Sequence, residues 1–553
     1  MRGRAPPPSR AAGRCCRSIA SSAGRVAWCA ASNRTTAPSP ASPRTICRSR
    51  PGWTSWRSRP RPRRPWPRPP DPDPAPTVTV PTPSSAALGS DEGVVVMPDG
   101  LAAFAARVAA ARTATASLDL QYYIWRCDMT GGLLAREVLR VAERGVRVRM
   151  LLDDMYAVGA ERVLTALDAH ARIEVRLFNA TRWRRFGPPG LALEMLLGGW
   201  HLNRRMHNKL WVVDGRLAIA GGRNIGDEYF DGSGTFNFRD LDLAILGEAA
   251  SQAQAAFDRY WRHPLSQPLR RISRAAYRRR ASRRLAARLD AATRSPEARP
   301  FFERVEDSPA VAQFVHGGAA PRLIPVPATA VQVVADPPEK AKGKAVPGVG
   351  LAHAVLGALR AARREALLIS PYFVPGPAGM ALLEDLAQRG VRVSVITNSL
   401  AATDVVAAHG GYARYRERLL EAGIALHELK PTRHEGASVL GSRGASLHTK
   451  AFVIDGELAF VGSFNLDPRS IALNTEMGSF VRHPDVARQV REEHDRLAEP
   501  ARSWRVTREA PGRLRWTAEE AGTMVTRNGE PDASLSRRVV ARVLRMLPIE
   551  SQL

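Results

Sequence analysis

Two stretches of the chain repeat the same residue types at the same spacing, with the second stretch 241 positions after the first. In each stretch His is followed two residues later by Lys, then by Asp, and then by Gly and Asn beyond an apolar run. The first set is His207, Lys209, Asp214, Gly221 and Asn224, and the second set is His448, Lys450, Asp455, Gly462 and Asn465. One such match has a chance probability of about one in a million per starting position. Chance does not explain two matches, so the chain is restricted to folds built from two copies of one unit.

Each copy of the motif predicts a strand, a tight turn and a second strand. Residues two apart on a strand point to the same face, so His207 and Lys209 project together, as do His448 and Lys450. Apolar residues follow in both copies, then Asp-Gly, then a second apolar run. Asp-Gly between two β-type runs is a strong hairpin signal. The hairpin can return the closing asparagine of each copy to its His and Lys.

Helical and strand-like patterns alternate around the motifs, and the alternation occurs twice. In the first part, helices are predicted at residues 100–114 and 132–144 and strands at 117–124 and 145–152. In the second part, helices are predicted at residues 351–364 and 380–389 and strands at 366–373 and 390–396. This alternation indicates βαβ units and a mainly parallel sheet. We therefore predict an α/β protein with two pseudo-symmetric halves, whose motifs meet at the interface between them.

Much of the net charge of +28 belongs to the N-terminal part of the chain. Residues 1–70 contain sixteen Arg but no Lys and no acidic residue, which leaves +12 for the remainder. This part is also rich in Pro, Ser and Ala, a composition that cannot bury enough apolar surface to offset the entropy of ordering. Residues 1–85 are therefore predicted to be disordered, and a start codon placed too far upstream in a GC-rich genome fits the composition equally well.

The patterns divide the chain into five predicted segments. They are the tail at 1–85, the first half at 86–265, a basic insert and linker at 266–348, the second half at 349–500, and a C-terminal extension with an amphipathic helix at 501–553. The insert has nine Arg between residues 270 and 288, which fits a solvated helix face or a helix attracted to anionic lipid. Its last part, residues 334–348, is predicted to be a flexible connection.

The paired motifs resemble the His-x-Lys-x4-Asp signature of the phospholipase D superfamily. The flanking residues resemble the C-type bacterial cardiolipin synthases, and the similar stretches include residues 202–209, 221–230, 260–262 and 547–553. This resemblance implies two α-β-α sandwich halves with one active site at their interface. The sequence departs from the family at Gly222, where many members have Ser, as the second copy does at Ser463.

The chemistry of a phosphodiester explains the pairing of the motifs. One imidazole can attack phosphorus and form a phosphohistidine, while a second protonates the departing alcohol. By the resemblance His207 is the nucleophile and His448 the acid and base, although the pseudo-symmetry also fits the reverse assignment. The candidates for binding the phosphate oxygens are Lys209, Lys450, Asn224, Asn465 and Ser463. This chemistry requires no metal and no other cofactor.

Several carboxylates belong to the candidate site. Asp214 and Asp455 are part of the catalytic signature, but they stand at the turn, where Asp is favoured, so we expect a structural role for both. In the superfamily, carboxylates that follow the motifs hold the far nitrogen of the catalytic imidazole. Glu476 is the candidate after the second motif. Asp242, which has Asp240 beside it, is the candidate after the first motif, and a solvated acid is an equal alternative for it.

Two classes of function fit these residues. One is a membrane-associated phosphatidyltransferase that uses a hydroxyl of phosphatidylglycerol as acceptor, as the resemblance implies. The other is a phospholipase D-type hydrolase or nuclease that uses water. Apolar stretches lie beside basic ones at residues 191–202 and 537–547, which favours a membrane over nucleic acid. The predicted partners are anionic phospholipids, with phosphatidylethanolamine as an alternative phosphatidyl donor, at the bacterial inner membrane; the need for an accessory protein is left open.

Overall fold

The computed structural model of the chain describes residues 92–197, 199–273, 279–315, 323–344, 348–431, 446–547 and 552. The predicted disordered tail, residues 1–85, lies outside the described residues, as do residues 274–278 of the basic insert. Two mixed sheets, each packed against helices, dominate the described part and correspond to the two predicted halves.

The first half contains the elements from β1 to β10. Its strands are β1 (Gly93–Met97), β2 (Ser117–Tyr122), β3 (Arg147–Asp153), β4 (Ile173–Phe178), β5 (Leu210–Val213), β6 (Leu217–Gly221), β7 (Phe238–Arg239), β8 (Asp242–Leu246), β9 (Ser266–Pro268) and β10 (Ile324–Pro325). Its helices are α1 (Gly100–Thr113), α2 (Met129–Glu143), α3 (Asp154–Ala157), α4 (Glu161–Asp168), α5 (Gly187–Leu196), α6 (Ala250–Arg262), α7 (Leu269–Ile272), α8 (Arg279–Thr293), α9 (Arg299–Asp307) and α10 (Pro309–Val315). All these strands except β7 form one sheet, in the order β10-β1-β8-β6-β5-β2-β3-β4-β9.

The second half contains the remaining elements. Its strands are β11 (Val331–Ala335), β12 (Glu365–Ile369), β13 (Arg392–Asn398), β14 (Ala425–Leu429), β15 (Ser446–Leu447), β16 (Ala451–Ile454), β17 (Leu458–Gly462), β18 (Met477–Arg482), β19 (Ser503–Ala510), β20 (Arg513–Glu520) and β21 (Thr523–Arg527). Its helices are α11 (Leu351–Arg360), α12 (Gly376–Gln388), α13 (Val406–Tyr412), α14 (Arg416–Glu421), α15 (Pro468–Ala472), α16 (Pro484–Ala498) and α17 (Leu535–Met546). All these strands except β15 form one sheet, in the order β11-β18-β17-β16-β12-β13-β14-β19-β20-β21.

Seven strands stand in the same order in both sheets, which confirms the predicted duplication. The run β1-β8-β6-β5-β2-β3-β4 corresponds to β11-β18-β17-β16-β12-β13-β14. Only the strands of the βα units, β2 to β4 and β12 to β14, pair in parallel within these described runs. The prediction of a mainly parallel sheet is therefore wrong. The motif strands are joined by connections of three residues, 214–216 and 455–457, which are too short for the crossover that a parallel pair requires.

An Asp-Gly turn closes the hairpin of each motif. Asp214 and Asp455 have φ angles of 51° and 55°, and the glycines that follow them have φ angles of 67° and 70°. The Arg216 and Glu457 amides donate to the Val213 and Ile454 carbonyls, so Asp and Gly are the two central residues of a β-turn in each hairpin. Positive φ at both central residues matches the right-handed twist of the flanking strands. The Asp214 carboxylate accepts hydrogen bonds from the backbone amides of residues 115–117, and the Asp455 carboxylate does the same with residues 363–365. Both aspartates stand at the far end of a four-residue strand from the His and Lys, which is a position that suits the expected structural role.

The segment predicted as insert and linker is built into both sheets. β9 and β10 form the two edges of the first sheet, and β11 forms an edge of the second. In the predicted linker, the buried Lys340 ammonium lies 2.7 Å from the Asp336 carboxylate and 2.8 Å from the Ser470 carbonyl oxygen. The described part of this segment is therefore fixed in place, while residues 345–347 lie outside the described residues.

The basic α8 packs on the outside of the first half. Leu285 and Ala286 are buried on its inner side, and Asp290 pairs with Arg136 of α2 at 2.6 Å. Arg283, Arg284 and Arg288 point to solvent. This arrangement is that of a solvated helix face whose apolar side anchors the helix.

The two halves share one hydrophobic core across their interface. First-half and second-half side chains pack in one cluster that includes Val94, Leu243 and Ile245 together with Val453, Val461 and Val481. A second shared cluster places Met477 of the second half against Phe257 and Tyr260 of the first. Because dense interiors resist deformation, these shared cores fix the position of one motif relative to the other.

The C-terminal extension continues the second sheet and then covers α13. Strands β19 to β21 add to the sheet beyond β14, and α17 packs against the α13 region through Ala541, Val540 and Leu544. The opposite side of α17 carries an exposed apolar stripe that consists of Leu535, Val539, Val543 and Met546. Each of these four side chains is more than half exposed, as expected for the predicted amphipathic helix.

Candidate active site

Short strand pairings between the halves bring the two motifs together. Just before the first motif, Met206 pairs with Thr475, and the His207 amide donates to the Thr475 carbonyl at 2.9 Å. Just before the second motif, β15 pairs with β7, and the His448 amide donates to the Arg239 carbonyl at 2.7 Å. Each motif histidine therefore lies against a segment of the opposite half.

Each histidine is held by a carboxylate that comes from the other half. His207 Nδ1 lies 2.8 Å from a Glu476 carboxylate oxygen, and His448 Nδ1 lies 2.5 Å from an Asp240 carboxylate oxygen. Both carboxylates directly follow the residues that pair with the motif backbone, so the pairing between the halves delivers them. With Nδ1 of each ring engaged, Nε2 is the nitrogen that can act on a substrate.

Asp242 does not orient a histidine, and Asp240 takes that place. The Asp242 carboxylate pairs with Arg107 at 2.9 Å and lies 3.4 Å from Arg223, both of them buried. The strand β8 begins at Asp242, so this side chain belongs to the sheet interior, under α1. Asp240 precedes the strand and reaches His448 across the interface.

Both motif lysines accompany the histidines into the interior. Lys209 Nζ donates to the His207 carbonyl at 2.6 Å, and Lys450 Nζ donates to the His448 carbonyl at 2.5 Å. An ammonium has three donors, and each of these bonds uses one. Among the described residues, no three His, Cys, Asp or Glu side chains are grouped so that they could hold a metal ion, and the lysines supply the positive charge of the site.

The buried charges of both motifs act on both imidazoles. Burial lowers the pKa of His207 to about 4; Glu476 opposes this shift, while Lys209 and Lys450 add to it. Burial, followed by the charges of Lys450 and Lys209, lowers the pKa of His448 well below its usual value, and His207 contributes to the same shift. Both imidazoles are therefore neutral near pH 7, with an Nε2 lone pair in each. The two motifs share one electrostatic environment, as one common site requires.

Burial disfavours the charged form of both motif lysines. Burial lowers the pKa of Lys450 to about 8, although Asp240 and Glu476 oppose this shift. Burial also lowers the pKa of Lys209 well below its usual value, and the Lys450 charge adds to the decrease. A bound anion would raise the pKa of both lysines. The site is therefore electrostatically suited to a phosphodiester.

The difference between Gly222 and Ser463 has a steric cause. The Ser463 hydroxyl donates to Glu476 at 2.5 Å, so this predicted phosphate ligand supports the carboxylate that holds His207. In the first copy, a Cβ atom added to Gly222 would lie 2.1 Å from an Asp240 carboxylate oxygen. Real Cβ atoms do not approach other atoms that closely. Gly222 is therefore the residue that lets the Asp240 carboxylate take its position.

The two motif asparagines are buried but have different partners. Asn224 accepts from the Ile124 amide at 3.1 Å and donates to the Tyr229 hydroxyl at 2.9 Å. Asn465 Oδ1 has no hydrogen-bond partner among the described residues. Asn465 Oδ1 is therefore an unused acceptor, while Asn224 holds Tyr229 in place.

Aromatic rings form the walls of the site around the imidazoles. The Tyr123 ring lies 5.1 Å from that of His207, and the Tyr229 and Phe238 rings lie 5.3 Å and 4.8 Å from that of His448. Such packing holds the imidazoles and excludes water from them. Neither Tyr229 nor Phe238 was predicted from the sequence as a site residue, and the position of Tyr229 shortly after the first motif was the only signal for it.

The chain is similar to known proteins, and one family model matches each of its two halves separately. A family model described as cardiolipin synthase, phospholipase D-like domain, matches residues 108–261 and again residues 355–498. The chain belongs to the phospholipase D superfamily. Cardiolipin synthase C of Escherichia coli (strain K12) is 38% identical to this superfamily member over 466 residues, which are 83% of this chain and 95% of that protein. An uncharacterized protein of Helicobacter pylori (strain ATCC 700392 / 26695) is 32% identical over 82% of this chain and 88% of its own length.

A solved structure supports the phospholipase D-like fold. The phosphatidylserine synthase of Haemophilus influenzae Rd KW20 aligns with 83% of this chain and 95% of its own chain, with a TM-score of 0.55. The sequence identity is 13%, so this likeness bears on the fold alone. It agrees with the α/β architecture of two repeated halves.

Proposed function

We propose that this phospholipase D superfamily member is a membrane-associated phosphatidyltransferase that forms cardiolipin. It would move a phosphatidyl group through a phosphohistidine onto a hydroxyl of phosphatidylglycerol. The observation that carries this proposal is the crossed arrangement of two imidazoles, each held through Nδ1 by a carboxylate of the other half. The match to the cardiolipin synthase family model and to cardiolipin synthase C supports transfer of a phospholipid phosphatidyl group.

In the first step, His207 Nε2 attacks the phosphorus atom of the phosphatidyl donor. A nitrogen–phosphorus bond forms, and the phosphorus–oxygen bond to the headgroup alcohol breaks. His448 Nε2 gives the departing oxygen its proton. Because His448 is neutral in the free protein, it must take up this proton when the substrate binds, and the negative charge of the phosphodiester favours that uptake.

In the second step, a hydroxyl of phosphatidylglycerol takes the place of the departed alcohol. Its proton passes to His448 Nε2, its oxygen bonds to phosphorus, and the nitrogen–phosphorus bond to His207 breaks. Lys209 and Lys450 would stabilise the negative charge on the non-bridging oxygens in both steps, with the Asn465 amide as a neutral donor. The carboxylates of Glu476 and Asp240 fix the orientation of the rings and take no proton from the substrate.

Exposed apolar side chains support attachment to a membrane surface. The exposed stripe of α17 is flanked by Arg538 and Arg542, and no acidic residue occurs between residues 533 and 547. Leu196 at the end of α5 is 84% exposed, and the neighbouring Leu197 is 68% exposed. The helices within the described residues are all too short or too polar to cross a membrane. These features favour peripheral attachment to an anionic surface, which we propose is the bacterial inner membrane.

Identification of the lipid products tests the proposed function. Full-length protein incubated with phosphatidylglycerol vesicles, with and without phosphatidylethanolamine, is expected to form cardiolipin. Quenching during turnover should give an acid-labile label on His207 when the phosphatidyl donor is labelled. His207→Ala and His448→Ala should each abolish turnover, because both rings serve one site. Activity should persist in excess EDTA, since lysines supply the positive charge.

Other products would point to other functions. Phosphatidic acid as the dominant product would make the protein a hydrolase. Cleavage of DNA without turnover of lipid would favour the nuclease alternative. Cardiolipin that forms only after addition of a bacterial extract would indicate an accessory protein. Label on His448 instead of His207 would reverse the assignment of the two histidines.

A further inference from the structure

The loop of residues 399–405, which follows β13, begins beside the second motif. Asn398 at the end of β13 accepts from the Leu447 amide at 2.9 Å and donates to the Leu447 carbonyl at 3.0 Å. Leu447 directly precedes His448, so the strand end and the motif are joined by these two bonds. Ligands of α/β sheets bind beyond the carboxyl ends of parallel strands, and this loop lies at that edge.

Asp404 is a partly exposed carboxylate in this loop that is held by an aromatic hydroxyl. The Tyr372 hydroxyl lies 2.9 Å from both Asp404 carboxylate oxygens, to which it donates. Tyr372 follows β12, the parallel neighbour of β13, and is also partly exposed. A carboxylate offers about four acceptor positions, and the Tyr372 hydroxyl and the Asp404 backbone amide do not occupy all of them.

Asp404 lies within electrostatic range of both walls of the site. Burial lowers the pKa of Lys450, and Asp404 is one of the carboxylates that oppose this shift. Burial is also the main cause of the raised pKa of Tyr156, to which the Asp404 charge contributes. Tyr156 belongs to the first half and Lys450 to the second, so the Asp404 charge acts on groups of both halves.

The equivalent loop of the first half, which follows β3, presents different side chains. Its one acid, Asp154, is buried and paired with Arg184. Its exposed side chain is that of Tyr156, at 44%. The two sides of the pseudo-symmetric site are therefore unequal, with an aromatic ring on the first-half side and a carboxylate on the second-half side.

We propose that Asp404, positioned by Tyr372, accepts a hydrogen bond from a hydroxyl of the polyol headgroup that receives the phosphatidyl group. This inference rests on the proposed function. In an in-line displacement, the departing and entering alcohols both occupy the side of phosphorus opposite the nucleophile. That side faces His448, and the Asp404 loop begins beside His448. A carboxylate there cannot serve to bind the phosphate anion, but it suits a hydroxyl donor.

The glycerol headgroup of phosphatidylglycerol has two free hydroxyls, and the proposal gives each a different role. One hydroxyl passes its proton to His448 Nε2 while its oxygen bonds to phosphorus and the bond from His207 breaks. The other donates to Asp404 and undergoes no change in bonding. A water molecule that enters in place of the glycerol headgroup has no second hydroxyl that could bind Asp404. Asp404 therefore directs the phosphohistidine towards transfer and away from hydrolysis.

The ratio of cardiolipin to phosphatidic acid formed from phosphatidylglycerol vesicles tests this role. In the full chain, Asp404→Ala should lower the ratio about tenfold, the effect of losing one hydrogen bond to a charged group. Tyr372→Phe should lower it by a smaller factor, because the carboxylate remains but loses its positioning bond. Asp385→Ala, which removes an exposed acid on α12, is the matched control and should keep the wild-type ratio.

The outcomes separate this role from the proposed function. Cardiolipin formed by Asp404→Ala at the wild-type ratio would overturn the role of Asp404 and leave the proposed function intact. Wild-type protein that forms neither lipid would overturn the proposed function itself. In vesicles that also contain phosphatidylethanolamine, an effect confined to the release of ethanolamine would mean that Asp404 binds an ammonium, and the hydroxyl assignment would be wrong. If Asp404→Ala does not fold, Asp404→Asn should still lower the ratio, and an unchanged ratio in that variant would also contradict the proposal.

Discussion

Asp240 and Asp242 are two residues apart but have unrelated partners, since Asp240 holds His448 and Asp242 pairs with buried arginines. We predict that Asp240→Asn lowers turnover at least about 100-fold, because the His448 ring loses the acceptor that fixes its tautomer. Asp242→Asn should instead lower the free energy of unfolding by about 3 kcal/mol, because it leaves buried guanidinium groups short of a counter-charge. Turnover per folded molecule and urea unfolding distinguish the two effects.

Asn is nearly the same size as Asp, so each of these variants is the control for the other. Full turnover in Asp240→Asn, or wild-type stability in Asp242→Asn, would contradict the assignment of the two carboxylates.

We predict that activity has an alkaline limit where Lys450 loses its charge. With a pKa of about 8, the Lys450 ammonium is charged below this pH and neutral above it. The neutral amine cannot stabilise the phosphate, so kcat/KM should fall as the pH rises through about 8. Lys450→Arg keeps its charge in this range, and its alkaline limb should therefore move to higher pH even if the plateau is lower. The same alkaline limb in both proteins would show that another group controls it.

At the residue scale, spacing predicted the histidines and lysines but not all of their partners. His207 and His448 can be identified because equal offsets are visible along a single chain. Sequence position could not distinguish Asp240 from Asp242, since a difference of two residues keeps both on one face of an extended segment. The crossing of Glu476 and Asp240 between the halves depends on short strand pairings that no local pattern encodes.

At the element scale, the aspartate of each Asp-Gly turn binds the backbone that leads into the strand beside the motif hairpin. We predict that Asp214→Ala lowers the free energy of unfolding by about 1–2 kcal/mol, because the backbone amides of residues 115–117 lose their acceptor. Asp214→Asn should cost less, since Asn tolerates positive φ and keeps one side-chain oxygen. Denaturant unfolding measures both, and turnover of the folded variants should match that of the wild type. A large loss of turnover without loss of stability would return Asp214 to the catalytic set.

Long elements with clear periodicity were predicted well, whereas composition misled in the connection between the halves. The first-half helix predicted at residues 132–144 spans Met129–Glu143. Residues 334–348 have the Pro, Gly and Lys content of a flexible linker, yet Lys340 is buried against Asp336. Composition predicts a flexible linker correctly only when the charged side chains of the segment have no buried partners. The partner of Lys340 can be seen only in the three-dimensional structure.

At the scale of the whole molecule, α17 offers a surface for membrane attachment. Replacing Leu535, Val539, Val543 and Met546 together by Ser should weaken binding to phosphatidylglycerol vesicles at least about tenfold, because these exposed side chains would otherwise be buried in the interface. Cosedimentation with vesicles at several salt concentrations measures the effect. The inner side of α17, which packs near α13, is left unchanged.

A matched control comes from an exposed apolar residue outside this stripe. Met524 on β21 is 58% exposed, and Met524→Ser should leave vesicle binding unchanged. Vesicle binding of the fourfold variant at the wild-type level would exclude α17 as the attachment surface and leave α5 as the alternative.

The exchange of carboxylates between the halves also restricts how the sequence of such a chain can evolve. A substitution that disables Glu476 damages the ring supplied by the first repeat, and one that disables Asp240 damages the ring supplied by the second. Neither repeat can therefore acquire a different function while the other repeat keeps the original activity. A single repeat carries one histidine and the carboxylate for the other, so it could complete such a site only by pairing with a second copy.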